Sequence, residues 1–246
     1  MFIKRYKLII QYDGSSFFGW QLQPNRKTIQ GEIEKAIINI TSSINRIPIY
    51  GSGRTDTGVH AKGQVAHMDI DTNLTPEQLL QALNANLSKN IKIMSIQECN
   101  LDFQARFDAT KREYKYQCYN GDSLLYRNQS WHTPNLDIFH LKKIAKLVEG
   151  EHDFLSFCKY NKDIKNTKCY IYKSEWNFEG KMVIYNIIGN RFLHHMVRYL
   201  VGTMIAIMEG KFSIEDFIIL LKKPKKDVKI FKAPPQGLIL EKVYYE

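Results

Sequence analysis

The sequence predicts an α+β protein of two ferredoxin-like (split βαβ) halves, whose antiparallel sheets join into one larger sheet with helices on one face. One observation is the order of the elements: strand, helix, strand, strand, helix, strand, after which the same series restarts near residue 112. The other is that pairing the two sheets would remove open strand edges, which invite aggregation. We expect the boundary near residue 105, with one half at 1–105 and the other at 106–246.

The first half begins with a strand at 6–12, which an Asp-Gly turn pair ends. From Thr28 to about Ser42, isoleucines recur at helical spacing and predict a helix. Residues 75–77 combine a threonine cap, a proline in the first turn and an early acid, which predicts a second helix. The other strands predicted in this half cover 45–50, 63–71 and 91–96.

The second half begins with an alternating strand at 112–119. One helix is predicted over 137–148, where apolar residues share a face, and a long apolar helix over 191–209. A short helix follows Ser213. The remaining predicted strands cover 168–176, 182–189 and 238–244.

The charge of the chain favours a polyanionic partner. The formal net charge is +10, and a basic protein of this kind usually meets a polyanion or an anionic surface. The alternative is a lysine-rich surface that is simply solvated. No secretory signal is visible, and no apolar run approaches the roughly 20 residues of a membrane-spanning helix. We therefore expect a cytoplasmic protein without a membrane partner.

The cysteines and histidines give no sign of a metal site. The four cysteines form no Cys-x-x-Cys pair, which argues against a disulfide scaffold or a zinc knuckle and favours reduced, mostly buried thiols. His194 and His195 are adjacent, and neighbours in a helix point about 100° apart, so they chelate one metal poorly. One packed and one exposed histidine is the expected arrangement. Neither a metal nor a cofactor is predicted.

A glycine-rich loop places a carboxylate between two predicted strands. Within residues 51–61, three glycines allow tight turns and a close approach of the backbone to a ligand. Arg54 stands two residues before Asp56, and a nearby cation favours the ionised carboxylate, which suits a nucleophile. The spacing matches neither the dinucleotide-binding fingerprint nor the P-loop. The alternative is a structural turn in which Asp56 only accepts backbone N–H bonds.

Two further stretches could contact a nucleic acid. Aromatic residues stand among glycines at 13–21 and could stack on bases or sugars; otherwise these side chains pack in the core. On the strand at 112–119, Arg112, Tyr114 and Tyr116 share one face, which could hold a phosphate and stack a base. Arg112 and Tyr114 are therefore candidate substrate-binding residues. The alternative is a solvated sheet face with half-buried tyrosines.

Two basic stretches follow. Arg191 and Arg198 are seven residues apart and would lie on one side of the predicted helix, from which one arginine could pair with Asp56. Lysines concentrate at 222–232, which fits phosphate contacts if the partner is a nucleic acid. Solvated surface cations are the alternative in both places.

Together, and in this order, these stretches resemble the tRNA pseudouridine synthase A family. They run over nearly the whole chain, and the Arg-Thr-Asp segment is highly specific. Ser15 and Thr57 depart conservatively from the Thr and Ala of many relatives. The matching stretches are Tyr12-Asp13-Gly14, Phe18-Gly19-Trp20-Gln21, Gly53-Arg54-Thr55-Asp56, Gly58-Val59-His60-Ala61, Phe103-Gln104-Ala105-Arg106, Arg112-Glu113-Tyr114-Lys115-Tyr116, His152-Asp153-Phe154, Ser156-Phe157, Phe192-Leu193, Met196-Val197-Arg198, Gly202, Ala233-Pro234-Pro235 and Gly237-Leu238.

The resemblance implies a homodimer that isomerises uridines 38–40 in the tRNA anticodon stem-loop. It implies that Asp56 is catalytic, that Arg198 pairs with it and that Tyr114 stacks against the target base. Arg54 would help to open the stem and guide the target nucleotide, and Leu238 would line the pocket. The reaction needs no redox step, group donor or energy source, and no cofactor is expected.

Two other function classes stay open. A non-catalytic RNA-binding module would explain the charge and the tyrosines, but it leaves the carboxylate of the glycine loop without a role. A glycosidase or nucleosidase would release free uracil and usually needs a second carboxylate as an acid. No paired acid is evident near Asp56 in the sequence.

Overall fold

The structure, a computed structural model, describes residues 3–41, 43–134, 136–162 and 164–246. Along this part of the chain, runs of one to three strands are separated by one or two α-helices, which confirms the α+β class. The chain divides into two compact units, Met1–Thr110 with Leu240–Glu246 and Lys111–Ile239. The first unit is therefore completed by the last segment of the chain. The division into functional halves at 1–105 and 106–246 stays a prediction.

The first unit is an antiparallel sheet with two helices. Its elements are β1 (Lys4–Tyr12), α1 (Ile29–Thr41), β2 (Ile49–Gly51), β3 (His60–Ile70), α2 (Pro76–Asn86), β4 (Ile91–Cys99) and most of β10 (Leu238–Tyr244). Strand β1 pairs with both β3 and β4, and β3 also borders β2 and β10. Alternate residues of β1, such as Leu8 and Ile10, are fully buried together with Ile33 of α1 and Leu83 of α2. The sheet thus buries one face of β1 under the helices, as the period of a strand requires.

The second unit repeats the pattern with more helix. Its elements are β5 (Lys111–Tyr119), β6 (Trp131–His132), α3 (Ile138–Lys146), β7 (Gly150–Asp153), β8 (Lys168–Glu179), β9 (Met182–Gly189), α4 (Met196–Met208) and α5 (Ile214–Lys222). The strand order is β5-β9-β8-β7, with antiparallel pairs, and β6 runs parallel to β5. Buried Trp176 of β8, Tyr185 of β9 and Met204 of α4 form its core.

Several elements begin and end where the sequence places them. Strands β9 and β10 have the predicted bounds. Helix α2 begins after Thr75, whose hydroxyl accepts the N–H of Gln78 while the Gln78 side chain accepts the N–H of Thr75, a capping box. The predicted end of the first helix at Ser42 lies outside the described residues.

The start of α4 differs from the sequence prediction. The helix predicted from Arg191 begins at Met196. His195 has a φ of 65°, in the left-handed region, so the helical backbone does not extend back through it. Arg191 lies outside the helix, and the prediction that Arg191 and Arg198 share one side of it is wrong. The apolar residues at 192–193 continue the periodic pattern, so periodicity alone places the start too early.

Two short strands have no counterpart in the sequence prediction. Strand β6 has two residues and β7 has four, too few for a period of two to be visible.

The cysteines are free thiols, three of them buried, and burial raises the pKa of Cys118 to about 12. Among the described residues, no helix is both long and apolar enough to cross a membrane.

Candidate active site

The loop that carries Asp56 connects β2 to β3, as expected, and its residues point in two directions. Ser52, Thr55 and Val59 are buried, whereas Arg54 and Thr57 are exposed. Asp56 itself is half-buried. The loop therefore leaves its cation exposed and its carboxylate partly accessible, and it is anchored through its buried residues. Because the anchored residues alternate with the presented ones, each presented side chain has a fixed neighbour.

The start of the loop is anchored to β3. The backbone N–H of Ser52 donates to the carbonyl of Val65 at 2.7 Å, and its hydroxyl donates to the Gln64 side-chain oxygen at 2.8 Å. The Gln64 amide in turn donates to the carbonyl of Gly53 at 2.8 Å. Gln64 is fully buried. Buried and fully bonded polar groups of this kind hold one backbone conformation, because breaking them leaves polar atoms without water.

The middle of the loop is anchored at Thr55, next to the carboxylate. The Thr55 carbonyl accepts the N–H of Trp20 at 3.0 Å, and its hydroxyl lies 2.7 Å from the hydroxyl of buried Tyr12. Gly19 has a φ of 82°, and a Cβ there would lie 2.6 Å from the Thr55 carbonyl oxygen and 3.1 Å from the carbonyl carbon of Asp56. Only glycine combines this φ with this closeness. The turn at 13–20 therefore presses directly on the backbone of Asp56.

The end of the loop is anchored at Val59 and His60. A Cβ on Gly14 would lie 1.9 Å from the Val59 carbonyl oxygen, so the two backbones touch. Nδ1 of buried His60 lies 3.2 Å from the Gly14 nitrogen and 3.2 Å from a carboxylate oxygen of Asp13. Burial alone would raise the pKa of Asp13, but hydrogen bonds from Ser15 and the neighbouring His60 outweigh it and hold that pKa below its usual value.

The aromatic turn at 13–20 is largely part of the core. Phe17 and Trp20 are 1% and 2% exposed, so for them the core alternative holds and base stacking does not. Phe18 is exposed, with the Arg26 guanidinium 4.5 Å from its ring centre. Of the loop glycines, Gly51 makes room for the Trp20 ring, whereas Gly53 faces open space. The turn thus supports the Asp56 loop rather than offering a row of stacking rings.

In the second unit, Arg198 lies in the first turns of α4 and is buried. Its Nε donates to the carbonyl of Ala233 at 2.9 Å, and its own carbonyl accepts the N–H of Ala233 at 2.9 Å. One turn further on, a Cβ on Gly202 would lie 2.4 Å from the carbonyl oxygen of Phe231. The chain at 231–233 therefore runs close along α4 and fixes the orientation of the Arg198 side chain.

Strand β5 carries Arg112, Tyr114 and Tyr116, with different exposures. Tyr114 is 9% exposed and its ring meets that of Phe192 edge to face at 5.2 Å. Arg112 donates to the carbonyl of Asn190 at 2.8 Å. Tyr116 is fully buried, its hydroxyl donates to the carbonyl of Pro234 at 2.8 Å, and burial raises its pKa. Tyr114 and Tyr116 are thus both buried, Tyr116 completely and Tyr114 almost so, and the expected half-exposed face with two phenols is not seen.

Leu238 begins β10 and is 6% exposed. The residue before it, Gly237, is packed so closely that a Cβ would lie 2.7 Å from the Tyr116 ring. Segment 233–238 thus contacts both Arg198 and Tyr116. Within this unit the structure ties the region of Leu238 to two of the elements that carry predicted site residues, β5 and α4.

Sequence reasoning missed the residues that anchor the loop. Tyr12 and His60 belong to stretches that it singled out, but no role was assigned to either side chain. The signal that could have found them is the pair Gly14 and Gly19, since glycines that follow a strand often mark a close approach of two backbones. His194 is exposed and His195 half-buried, with ring centres 4.0 Å apart, close to the expected arrangement.

The chain is similar to known proteins over nearly its whole length. A family model described as tRNA pseudouridine synthase matches residues 8–108 and 144–246. The tRNA pseudouridine synthase A of Geobacillus sp. (strain WCH70) is 39% identical over 246 residues, covering 99% of both chains. That of Borrelia garinii subsp. bavariensis is 41% identical over 241 residues, covering 96% of this chain and 97% of the relative.

A more distant likeness is to a solved structure, the archaeal box H/ACA sRNP Nop10-Cbf5 complex. It has a TM-score of 0.35 and 13% identity, and covers 82% of this chain and 43% of the other. A TM-score this low does not establish the family. The family model and the full-length relatives do, because both matches extend over the glycine loop, α4 and β10. By these two findings the chain belongs to the tRNA pseudouridine synthase family, a family of isomerases.

Proposed function

We propose that this protein isomerises uridine to pseudouridine at positions 38–40 of the tRNA anticodon stem-loop, with Asp56 as the nucleophile and the target base flipped out. The family supports tRNA as the substrate. One observation carries the choice of Asp56: a half-buried carboxylate on a loop whose neighbouring residues Ser52, Thr55 and Val59 are buried and bonded. A carboxylate that is presented by fixed neighbours is the arrangement that covalent catalysis requires.

The reaction itself needs only such a group. The bond between N1 of the base and C1′ of the sugar breaks, a bond between C5 and C1′ forms, C5 loses its hydrogen and N1 gains one. Atoms and electrons balance without an oxidant or a donor. An ionised carboxylate can attack C1′, accept the proton of C2′ or attack C6 of the base. Each of the three routes requires the carboxylate to be ionised and held near the flipped nucleotide.

The remaining roles follow the resemblance. Arg198 forms the ion pair with Asp56, and Arg54 helps to open the stem. Tyr114 stacks on the extruded base, which is worth about 1–3 kcal/mol for a base on an aromatic ring. Flipping a base out of a stem costs a few kcal/mol, so stacking and phosphate contacts together can offset it. The fixed orientations of Arg198 and Tyr114 support these roles, since neither side chain must be ordered when substrate binds.

Leu238 lines the pocket and Arg112 contacts the substrate in this proposal. The backbone of segment 233–238 supports the first role, because it is held on both Arg198 and Tyr116. We further propose a homodimer that works in the cytoplasm, in line with the resemblance.

The decisive experiment uses tRNA labelled with tritium at C5 of uridine. Isomerisation releases this tritium, and mapping of pseudouridine in the product gives the position. Wild-type protein should release tritium from position 38, 39 or 40. Asp56→Asn should abolish release while tRNA binding persists, because the amide keeps the shape but is no nucleophile. Asp71→Asn is the matched control, since Asp71 is an exposed acid of the same unit.

Three outcomes would contradict the proposal. Near-normal tritium release by Asp56→Asn would exclude Asp56 as the nucleophile. Release of free uracil would identify a nucleosidase. Tight tRNA binding by the wild type without any tritium release would identify a binding module.

A further inference from the structure

Two lysine-rich segments of the second unit meet where the Lys226 ammonium lies over the Tyr160 ring. Residues 159–168 contain four lysines and one aspartate, and residues 222–232 contain six lysines and one aspartate. All of these lysines are exposed. We call them the lysine surface: Lys159, Lys162, Lys165, Lys168, Lys222, Lys223, Lys225, Lys226, Lys229 and Lys232.

The second segment contacts both the first segment and the turn at 155–157 that precedes it. The hydroxyl of buried Ser156 donates to the carbonyl of Lys225 at 3.1 Å and accepts the N–H of Lys225 at 2.8 Å. Next to it, the Lys226 ammonium lies 4.1 Å from the centre of the Tyr160 ring. Tyr160 is 38% exposed, so an accessible aromatic ring lies beside Lys226. Neither contact is visible from the sequence, where the partners are more than 60 residues apart.

The loop at 223–232 is fixed at its far end as well. The N–H of Phe231 donates to the Thr203 hydroxyl at 3.4 Å, and Ala233 is bonded to Arg198 in both directions. The backbone of the lysine surface is thus held at both ends of the loop, on the 155–157 turn and on α4. The ammonium groups, at the ends of flexible stems, can still adjust to a ligand.

The charge of this surface calls for a counter-charge. Ten lysines and two aspartates give an excess of eight positive charges, 10 − 2, in the two segments. Of these lysines, Lys168 has a carboxylate oxygen of Glu151 3.7 Å from its ammonium group. Like charges that are concentrated in one region repel one another, and a bound polyanion relieves that repulsion. Ammonium groups on flexible stems meet phosphates one by one and without regard to base sequence. An exposed ring among them can stack on a base or a sugar.

We propose that the lysine surface holds the phosphate backbone of the tRNA at nucleotides other than the one that reacts. The proposal rests on the proposed function for the identity of the polyanion. The surface supplies affinity and orientation, whereas chemistry and position choice belong to the Asp56 loop and its partners. Losses at the lysine surface therefore affect KM and the salt dependence of binding, and leave kcat at saturating tRNA unchanged.

The test compares two variants with equal loss of charge. One is Lys225→Gln/Lys226→Gln/Lys229→Gln. The control is Lys89→Gln/Lys92→Gln/Lys181→Gln, three exposed lysines outside the surface. Equilibrium binding of tRNA is measured at several KCl concentrations, and pseudouridine formation is measured at saturating tRNA.

The expected result is a flatter salt dependence for the surface variant alone. Each phosphate contact contributes roughly 0.7–0.9 to the slope of log K against log salt, so three contacts should lower the slope by about 2 to 3. The tRNA affinity should fall by about fortyfold to three-hundredfold near 0.15 M salt and converge with wild type near 1 M. The control should change the slope by less than about 1.

Each other outcome overturns something definite. Equal salt slopes for wild type and surface variant, or equal losses of tRNA affinity in both variants, would refute tRNA binding by the lysine surface. Pseudouridine formation by the wild type would still uphold the proposed function in that case. Conversely, the predicted slopes without any pseudouridine formation would refute the proposed function and leave the surface standing. Unchanged tRNA binding with loss of binding to vesicles of anionic phospholipid would assign the surface to a membrane instead.

Discussion

The loop that carries Asp56 and the lysine surface hold their charges in opposite ways. The loop fixes one carboxylate through buried contacts on either side of it, from Tyr12 to Thr55 and from Gly14 to Val59. The lysine surface fixes a backbone at its ends and leaves ten ammonium groups exposed on flexible stems. Attack on a single atom requires that the attacking group be held in one position. Contact with a chain of phosphates requires many positive charges, whose individual positions matter less. The difference teaches that conservative changes should be costly in the first region and nearly free in the second.

The largest expected effect tests this contrast with two substitutions that keep the charge. Asp56→Glu moves the carboxylate outward by one methylene, and a misplacement near 1 Å can cost about 10²-fold in rate, so we expect kcat to fall by at least that factor. Lys225→Arg/Lys226→Arg/Lys229→Arg should keep kcat and KM within about twofold, because any cation can meet a phosphate. Steady-state tritium release measures both. If Asp56→Glu were as active as wild type, the placement of the carboxylate would not matter and the comparison would fail.

The sequence predicts the loop better than its supports. The position of Asp56 between two strands follows from three glycines between two strand-like segments, and the start of α2 follows from its cap. The bond between Tyr12 and Thr55 joins residues 43 apart, and no pattern within either segment reveals it. Periodicity reports which face of an element is apolar, but it does not report which distant loops touch.

The glycines show the same limit from another side. The sequence suggests that the loop glycines let the backbone approach a ligand. In the structure, Gly14 and Gly19 let one stretch of the protein approach another, and Gly51 makes room for Trp20. A glycine indicates that some group comes close to the backbone, but it does not indicate whether that group is a ligand or another part of the protein. The start of α4 is a related case. The apolar pattern runs on both sides of His195, and it is the left-handed backbone of that residue that marks where the helix begins.

A second prediction separates anchored from open positions within the first unit. Gly14→Ala would place a Cβ against the Val59 carbonyl, and overpacking of this kind costs about 1–3 kcal/mol or more. The thermal midpoint should fall by about 2–12 °C. Gly53→Ala is the matched variant, because no atom lies within 4 Å of its Cβ, and its midpoint should stay the same or rise slightly. Circular dichroism melts measure both, and equal midpoints would show that the contact between the turn and the loop carries no strain on substitution.

The smallest effect concerns pH and the charge that supports the end of the loop. The pKa of Asp13 is held below its usual value by Ser15 and His60 against the effect of burial. A carboxyl whose pKa is depressed in the folded state stabilises the fold at pH values above its unfolded pKa of about 3.9. It loses this contribution as the pH falls through its folded pKa. Asp13→Asn should therefore lower the melting midpoint slightly at pH 7, and the difference from wild type should shrink as the pH falls below about 4. Asp71→Asn, at an exposed acid, is the control. A difference for Asp13→Asn that stayed constant from pH 7 to pH 3 would trace the effect to shape rather than charge, and the charge of Asp13 would then not support the end of the loop.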